Sequence, residues 1–145
     1  MFRSLAITVF FLAAWTVQAA GPNCSKVQTL SENAAFYRDQ GLTQEQLRYP
    51  LPSRDYFAGD PDNPKNAELQ LMHQIVDELY LAPELPSDLY VTFKAEQCRL
   101  LAVSPTNVRN FAQAAGELSA CVPLKGSERK TCAVKSANGP VGNGP

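Results

Sequence analysis

The chain has 145 residues, 45% of them hydrophobic and 19% charged, and its 13 basic and 14 acidic residues give a formal net charge of −1. This length accommodates one small domain and excludes the two-domain architectures that large cofactors usually require. The near-neutral balance lacks the excess of lysine and arginine that neutralises phosphates, so we do not expect a nucleic-acid-binding protein.

The first 20 residues have the layout of a secretory signal peptide. Arg3 supplies a basic start, residues 5–17 are mostly apolar, and Val17 and Ala19 place small residues before a cleavage site. The apolar run is shorter than the ~20 residues that a transmembrane helix needs. We therefore expect residues 1–19 to be removed, leaving a periplasmic or secreted protein without a stable membrane anchor.

The next segment predicts two helices that meet at a corner. Apolar or small residues recur at helical spacing over residues 24–40 and predict one buried stripe. Gly41 is expected to end this helix, and Thr43 with Gln46 to cap a short second one. The predicted buried stripe consists of Cys24, Val27, Leu30, Ala34 and Tyr37.

Residues 49–64 contain four prolines among Asp, Asn and Gly residues, which predicts a long loop. Its aromatic residues Tyr49, Tyr56 and Phe57 are candidates for an interaction site, because aromatic side chains often anchor interfaces. The same three residues are equally compatible with a lid that packs down on the helices.

Three further helices are predicted after this loop. Asn63 and Pro64 begin one that ends near Leu81, before Pro83. The segment 87–99 also has strand-forming residues, but Leu89, Phe93, Gln97 and Leu100 share a helical face. A last helix is expected over 104–120. Residues 133–145 are rich in Gly and Pro, with almost no large apolar residues, and are predicted to form a disordered tail.

Four cysteines, Cys24, Cys98, Cys121 and Cys132, follow the signal peptide, and an even number in an exported protein favours disulfides. Zinc is disfavoured because there is no C-x-x-C motif and the single histidine, His73, is far from every cysteine in sequence. We expect neither a metal nor a cofactor. Of three possible pairings, which sequence alone does not distinguish, we favour Cys24 with Cys98 and Cys121 with Cys132, the second closing a short polar loop.

Three short patterns occur together in the first two thirds of the chain. They are AAFYRDQGLTQEQ after the first cysteine, IVDELYLAP, and FKAEQC, which ends in Cys98. Their combination resembles a group of small, uncharacterised periplasmic proteins of Gram-negative bacteria. The resemblance covers residues 24–98 and implies an exported, helical, cysteine-paired protein without an established activity. The loop 49–64 and everything after Arg99 depart from it.

The chain offers little for catalysis. His73 and Asp77 are four residues apart on a predicted helix and could orient an imidazole, although a pair on the helix surface is the commoner explanation. A hydrolase that uses Glu78 and Glu84 is the least favoured possibility. We therefore expect a protein that is not an enzyme.

The sequence thus predicts an all-α domain over residues 20–132, with four to five short helices stapled by disulfides. The predicted function is that of an exported, non-catalytic interaction protein: an envelope accessory, an inhibitor or an immunity-type factor that binds a protein partner in the envelope. The alternative is a helical carrier of a small apolar ligand.

Overall fold

The computed structural model describes residues 23–57, 59–60 and 63–139, and the predicted signal peptide lies outside them. The described residues form six α-helices, two short 3₁₀ turns and an isolated β-bridge between Val108 and Asn138. The helices are α1 (Cys24–Asp39), α2 (Gln44–Arg48), α3 (Pro64–Leu81), α4 (Ser87–Val103), α5 (Phe111–Cys121) and α6 (Gly126–Ala137). The predicted all-α fold is confirmed.

The corner between α1 and α2 forms as the sequence predicts. Gly41 has a φ of +89°, which glycine adopts without strain. The Leu42 N–H donates to the Tyr37 carbonyl at 3.2 Å and so satisfies the end of α1. Thr43 and Gln46 then cap each other reciprocally at the start of α2. This corner directs α2 back onto α3.

The helix α4 is the centre of the domain, because it packs against both α1 and α6. Its Phe93 is fully buried, and the Phe111 ring of α5 lies edge-on to both Tyr90 and Phe93, with ring centroids 5.4 and 5.8 Å apart. The segment that carried strand-forming residues is therefore helical, and α4 extends four residues beyond the predicted end at Arg99, to Val103.

Both predicted disulfides are confirmed. Cys24, the first residue of α1, is bonded to Cys98 in α4 across 74 residues of sequence, with Cα atoms 5.5 Å apart. Cys121, the last residue of α5, is bonded to Cys132 in α6 across 11 residues, with Cα atoms 5.8 Å apart. One bridge therefore fixes the beginning of the domain to its central helix, and the other closes the last helical hairpin.

The hairpin corrects the prediction of a polar loop followed by a disordered tail from residue 133, and residues 140–145 of that predicted tail lie outside the described residues. Residues 126–137 form α6, and Ala133 and Ala137 are fully buried. Small side chains allow α6 to approach α4 and α5 closely, so a helix packs here without large apolar residues. Arg129 also donates to the partly buried carbonyls of Val122 and Leu124, at 2.7 and 2.6 Å, in the turn that precedes α6.

Two smaller corrections concern helix boundaries and faces. The last predicted helix begins at Phe111 instead of residue 104, because Asn110 and Gln113 form a capping box there. On α1 the buried residues are Val27, Ser31 and Ala35, so Val27 is the one residue of the predicted stripe that is fully buried, and the other four are partly buried or exposed.

Candidate functional site

The loop aromatics selected from the sequence take different positions. Tyr49 and Tyr56 are 91% and 76% exposed, whereas Phe57 is only 4% exposed. Phe57 packs beside His73 of α3, with ring centroids 5.7 Å apart. Two of the three residues thus face solvent, as an interaction site requires, and the third anchors the loop to the domain, as a lid would.

A hydrogen bond fixes the same part of the loop. The His73 Nε2 lies 2.8 Å from the Pro52 carbonyl oxygen. Because a carbonyl only accepts, Nε2 carries the hydrogen, and the buried Nδ1 has no partner among the described residues. His73 is therefore used to hold the loop, and it is not oriented by Asp77 as the sequence allowed.

Asp77 forms a second attachment between loop and helix. Its carboxylate pairs with Arg48 at the end of α2 and with Arg54 in the loop, and it accepts a hydrogen bond from Gln44 at 3.3 Å. Partial burial raises the pKa of Asp77, but the hydrogen bonds and charges of the two arginines outweigh burial and hold it below its ordinary value of 3.8. We call Arg48, Arg54 and Asp77 the charged latch.

An apolar pocket of about 210 Å³ opens between α1, α2 and α3. Leu30, Ala34 and Tyr37 of the predicted α1 stripe form one wall, and Leu30 and Ala34 also pack against the central core. Tyr37, half exposed, stands at its edge, and Tyr49 directly precedes the lining residue Pro50. The pocket is lined by Leu30, Asn33, Ala34, Tyr37, Leu47, Pro50, Leu51, Met72, Ile75 and Val76.

Arg38, near the end of α1, connects this region to the turn between α3 and α4. Its guanidinium donates to the Leu85 carbonyl at 3.0 Å, to the Ser87 hydroxyl at 2.9 Å and to Asp39 at 2.8 Å. Burial raises the pKa of Asp39, but the hydrogen bonds from Ser87 and Arg38 lower it by more than burial raises it. The pKa of Asp39 is therefore below its ordinary value of 3.8. Arg38 is thus a structural link.

A buried polar network joins α3 to α4, and the sequence analysis missed most of it. The Lys94 ammonium lies 2.9 Å from the Glu78 carboxylate and donates to the Gln97 amide oxygen at 2.8 Å. Tyr90 donates to Glu78 at 2.9 Å, and burial followed by the Glu78 charge raises the pKa of the phenol. The available signal was spacing: Lys94 lies between Tyr90 and Gln97 on one face of α4.

The network occupies the carboxylate that a hydrolase would need, because Glu78 is paired with Lys94 and hydrogen-bonded to Tyr90. Within the described residues no group of three His, Cys, Asp or Glu side chains could hold a metal ion. None of the helices described is long and apolar enough to cross a membrane.

The chain matches no protein-family model, no curated protein and no solved structure.

Proposed function

We propose that this is an exported, non-catalytic interaction protein that binds a protein partner in a bacterial envelope through the apolar pocket and its aromatic margin. The signal-peptide pattern of residues 1–19 and the resemblance to periplasmic proteins support export. Two disulfides are compatible with an oxidising compartment such as the periplasm. An envelope accessory, an inhibitor and an immunity-type factor all act by presenting such a surface.

The exposed aromatic margin is the observation that carries this proposal. Tyr49 is 91% exposed beside a preformed apolar pocket, and Tyr37 is half exposed at the pocket edge. Large aromatic side chains around a pocket, together with arginine, are the commonest hot spots of protein interfaces. Arg48 of the charged latch belongs to the same short helix as the lining residue Leu47, so charge lies beside the apolar surface.

The pocket volume supports a protein partner at this pocket over a carried ligand. Pockets for small molecules usually enclose roughly 300–1,000 Å³. A cavity of about 210 Å³ is below that range and corresponds to one large side chain from a partner. The apolar pocket therefore supports an interaction protein over the alternative of a carrier that holds a small apolar ligand in this pocket.

Site-specific photocrosslinking in the native host tests this proposal. A photoreactive phenylalanine analogue at Tyr49 should give a crosslinked adduct with a defined envelope protein, identified by mass spectrometry. The same analogue at Val103, 68% exposed at the end of α4, should not give that adduct. Crosslinking at both positions to the same abundant proteins, or at neither, would contradict the proposal.

A pocket-filling variant separates specific binding from adhesion through exposed aromatics. Ala34→Phe places a ring into the apolar pocket from its α1 wall and should abolish the Tyr49 adduct. Ala120→Phe adds the same ring at an exposed position of α5 and should leave the adduct unchanged. Circular dichroism of both variants verifies that they remain folded.

A further inference from the structure

A second cavity lies where α1, α3, α4 and the segment before α5 meet, and it shares no lining residue with the apolar pocket. Its volume is about 690 Å³, within the roughly 300–1,000 Å³ that small-molecule sites enclose. We call it the lysine cleft. It is lined by Asn23, Lys26, Val27, Pro64, Ala67, Glu68, Leu71, Gln74, Lys94, Gln97, Cys98, Leu101, Val108, Arg109 and Asn110.

The walls of the lysine cleft are mainly apolar. Val27, Leu71, Leu101 and Val108 each come from a different element and line the same cavity. Leu101 is 46% exposed, although it belongs to the helix at the centre of the domain. A ligand with an apolar body would cover this surface and gain the free energy of removing it from water.

The charged groups of the cleft are predominantly positive. Lys26, Lys94 and Arg109 line it, against one carboxylate, Glu68. Lys26 pairs with Glu68, and Arg109 pairs with Glu117. The side chains of Lys26, Glu68 and Glu117 are each at least a third exposed. Exposed ion pairs contribute only about 0–1 kcal/mol, so an incoming anion can replace either carboxylate at little cost.

The fourth charged group, Lys94, is held in place inside the domain. Its side chain is 3% exposed, and its ammonium is bonded to the Glu78 carboxylate and the Gln97 amide oxygen. An ammonium has three N–H donors. Both Glu78 carboxylate oxygens, at 2.9 and 3.3 Å, and the Gln97 amide oxygen accept these three donors, so Lys94 lines the cleft as a fixed charge that is paired inside the domain.

The cleft is also rigid. Cys98 in its wall is bonded to Cys24 at the start of α1. The Gln97 amide donates to the Arg109 carbonyl at 2.7 Å, which fixes α4 to the segment before α5. A preformed cavity binds a small ligand without the cost of ordering the protein.

We propose that the lysine cleft binds a small amphipathic anion, a molecule with an apolar body and a single carboxylate. The apolar walls match the body, and Lys26 and Arg109, whose partner carboxylates are at least a third exposed and can be displaced, match the carboxylate. This site goes beyond the proposed function, because binding in the cleft neither requires nor excludes a protein partner at the apolar pocket.

Binding of decanoate to the oxidised protein tests the proposal. Titration followed by amide chemical shifts should give saturable one-site binding, with the largest shifts at Val27, Gln97 and Val108. Decyltrimethylammonium, with the same body and the opposite charge, should bind at least about tenfold more weakly, and acetate, which lacks the body, should not bind measurably.

Charge substitutions at one exposed position localise the site without disturbing the core. Leu101→Glu should weaken decanoate binding by about tenfold or more, whereas Leu101→Lys should retain or strengthen it. Val103→Glu introduces the same charge on the same helix, outside the cleft lining, and should change the affinity by less than about twofold. Double substitution of the cleft cations, Lys26→Gln with Arg109→Gln, should weaken binding several-fold.

Three results would overturn the proposal. They are the absence of saturable decanoate binding, equal affinity for the anion and the cation, and shifts confined to the residues of the apolar pocket. None of them would bear on the Tyr49 crosslink, so failure of the ligand site is distinguishable from failure of the proposed protein interaction.

Discussion

The aromatic residues of this protein are used in opposite ways in its two halves. In the C-terminal region, residues 87–139, the rings of Tyr90, Phe93 and Phe111 are completely buried and pack edge to face. In the N-terminal region, residues 23–81, four of the six Phe and Tyr residues, Phe36, Tyr37, Tyr49 and Tyr56, are exposed, whereas Phe57 is buried and Tyr80 is partly buried. One region buries its aromatic side chains in the core, and the other leaves most of them exposed to solvent.

The attachments within each region differ in the same way. The C-terminal helices are joined by Cys121–Cys132 and by small buried residues, which give a closed hairpin. The loop of the N-terminal region is held by the charged latch, by Phe57 and by one hydrogen bond to His73. A loop attached by such contacts can open locally at a lower free energy than the core.

Removal of the disulfides should have the largest effect and would test whether both regions depend on them. On the chain-entropy model, Cys24→Ala with Cys98→Ala should cost about 4 to 5 kcal/mol and Cys121→Ala with Cys132→Ala about 3 kcal/mol, because the bridges span 74 and 11 residues. Urea unfolding of each double variant measures the difference. An unchanged melting temperature in reductant would contradict the expectation.

Breaking the buried ion pair should have the next largest effect, because it joins the two regions. Lys94→Met leaves the Glu78 carboxylate unpaired in the interior and should cost about 3–5 kcal/mol. Adding Glu78→Gln removes the charge, keeps an acceptor for Tyr90 and should recover much of the loss. Lys130→Met, at an exposed position of α6, should change the free energy of unfolding by less than about 0.5 kcal/mol.

The parts of the fold that local chemistry determines could be predicted from the sequence. Gly41 and the Thr43–Gln46 capping box mark the corner, and Pro64 and Pro83 bracket α3. These signals act over a few residues and do not depend on the rest of the chain. The cysteine pairing is different, because spacing alone permits three connectivities. The favoured connectivity is correct, but the sequence does not determine it.

The predicted face of α4, with Leu89, Phe93, Gln97 and Leu100, is buried, but packing through small residues could not be predicted. α6 is buried through Ala133 and Ala137. In a sequence such small residues give no clear hydrophobic periodicity, so the buried face of the helix is not visible before the neighbouring helices are known. The inward face of α1 is set by Ala35 and Ser31 for the same reason. At the candidate site the exposed loop tyrosines were identified, but Lys94 was not, because its partner Glu78 lies on another helix.

A glycine substitution tests the end of the C-terminal region, where a tail was predicted. The Gly139 N–H donates to the Asn107 carbonyl at 2.7 Å, and a Cβ at this position would lie 2.9 Å from the same oxygen. Gly139→Ala should therefore destabilise the protein by about 1–3 kcal/mol. Gly116→Ala, in the middle of α5 with open space around it, should instead stabilise by up to about 1 kcal/mol. Equal effects of the two substitutions would mean that residue 139 is not packed.

Breaking the charged latch should have the smallest effect on the free energy of unfolding. Its main effect should be faster amide hydrogen exchange in the loop. Asp77→Asn removes a partly exposed carboxylate and should cost less than about 1 kcal/mol. Amide hydrogen exchange of residues 51–57 should nevertheless increase, because the two arginines no longer hold the loop. Asp55→Asn, at an exposed position in the same loop, is the matched control and should leave the exchange unchanged.

The same latch should respond to acid in a direction set by the pKa of Asp77. This pKa is held below 3.8 in the folded protein because Arg48 and Arg54 outweigh burial. A carboxyl group whose pKa is lower in the folded state stabilises it above the unfolded-state pKa, and that contribution is lost as pH falls through the folded-state pKa. In the wild type the amide chemical shift of Tyr56 should therefore change below pH about 3.8, toward the value it has when the ion pairs of Asp77 are broken. In Asp77→Asn it should already have that value at neutral pH, and a transition of equal size in both proteins would exclude Asp77 as its source.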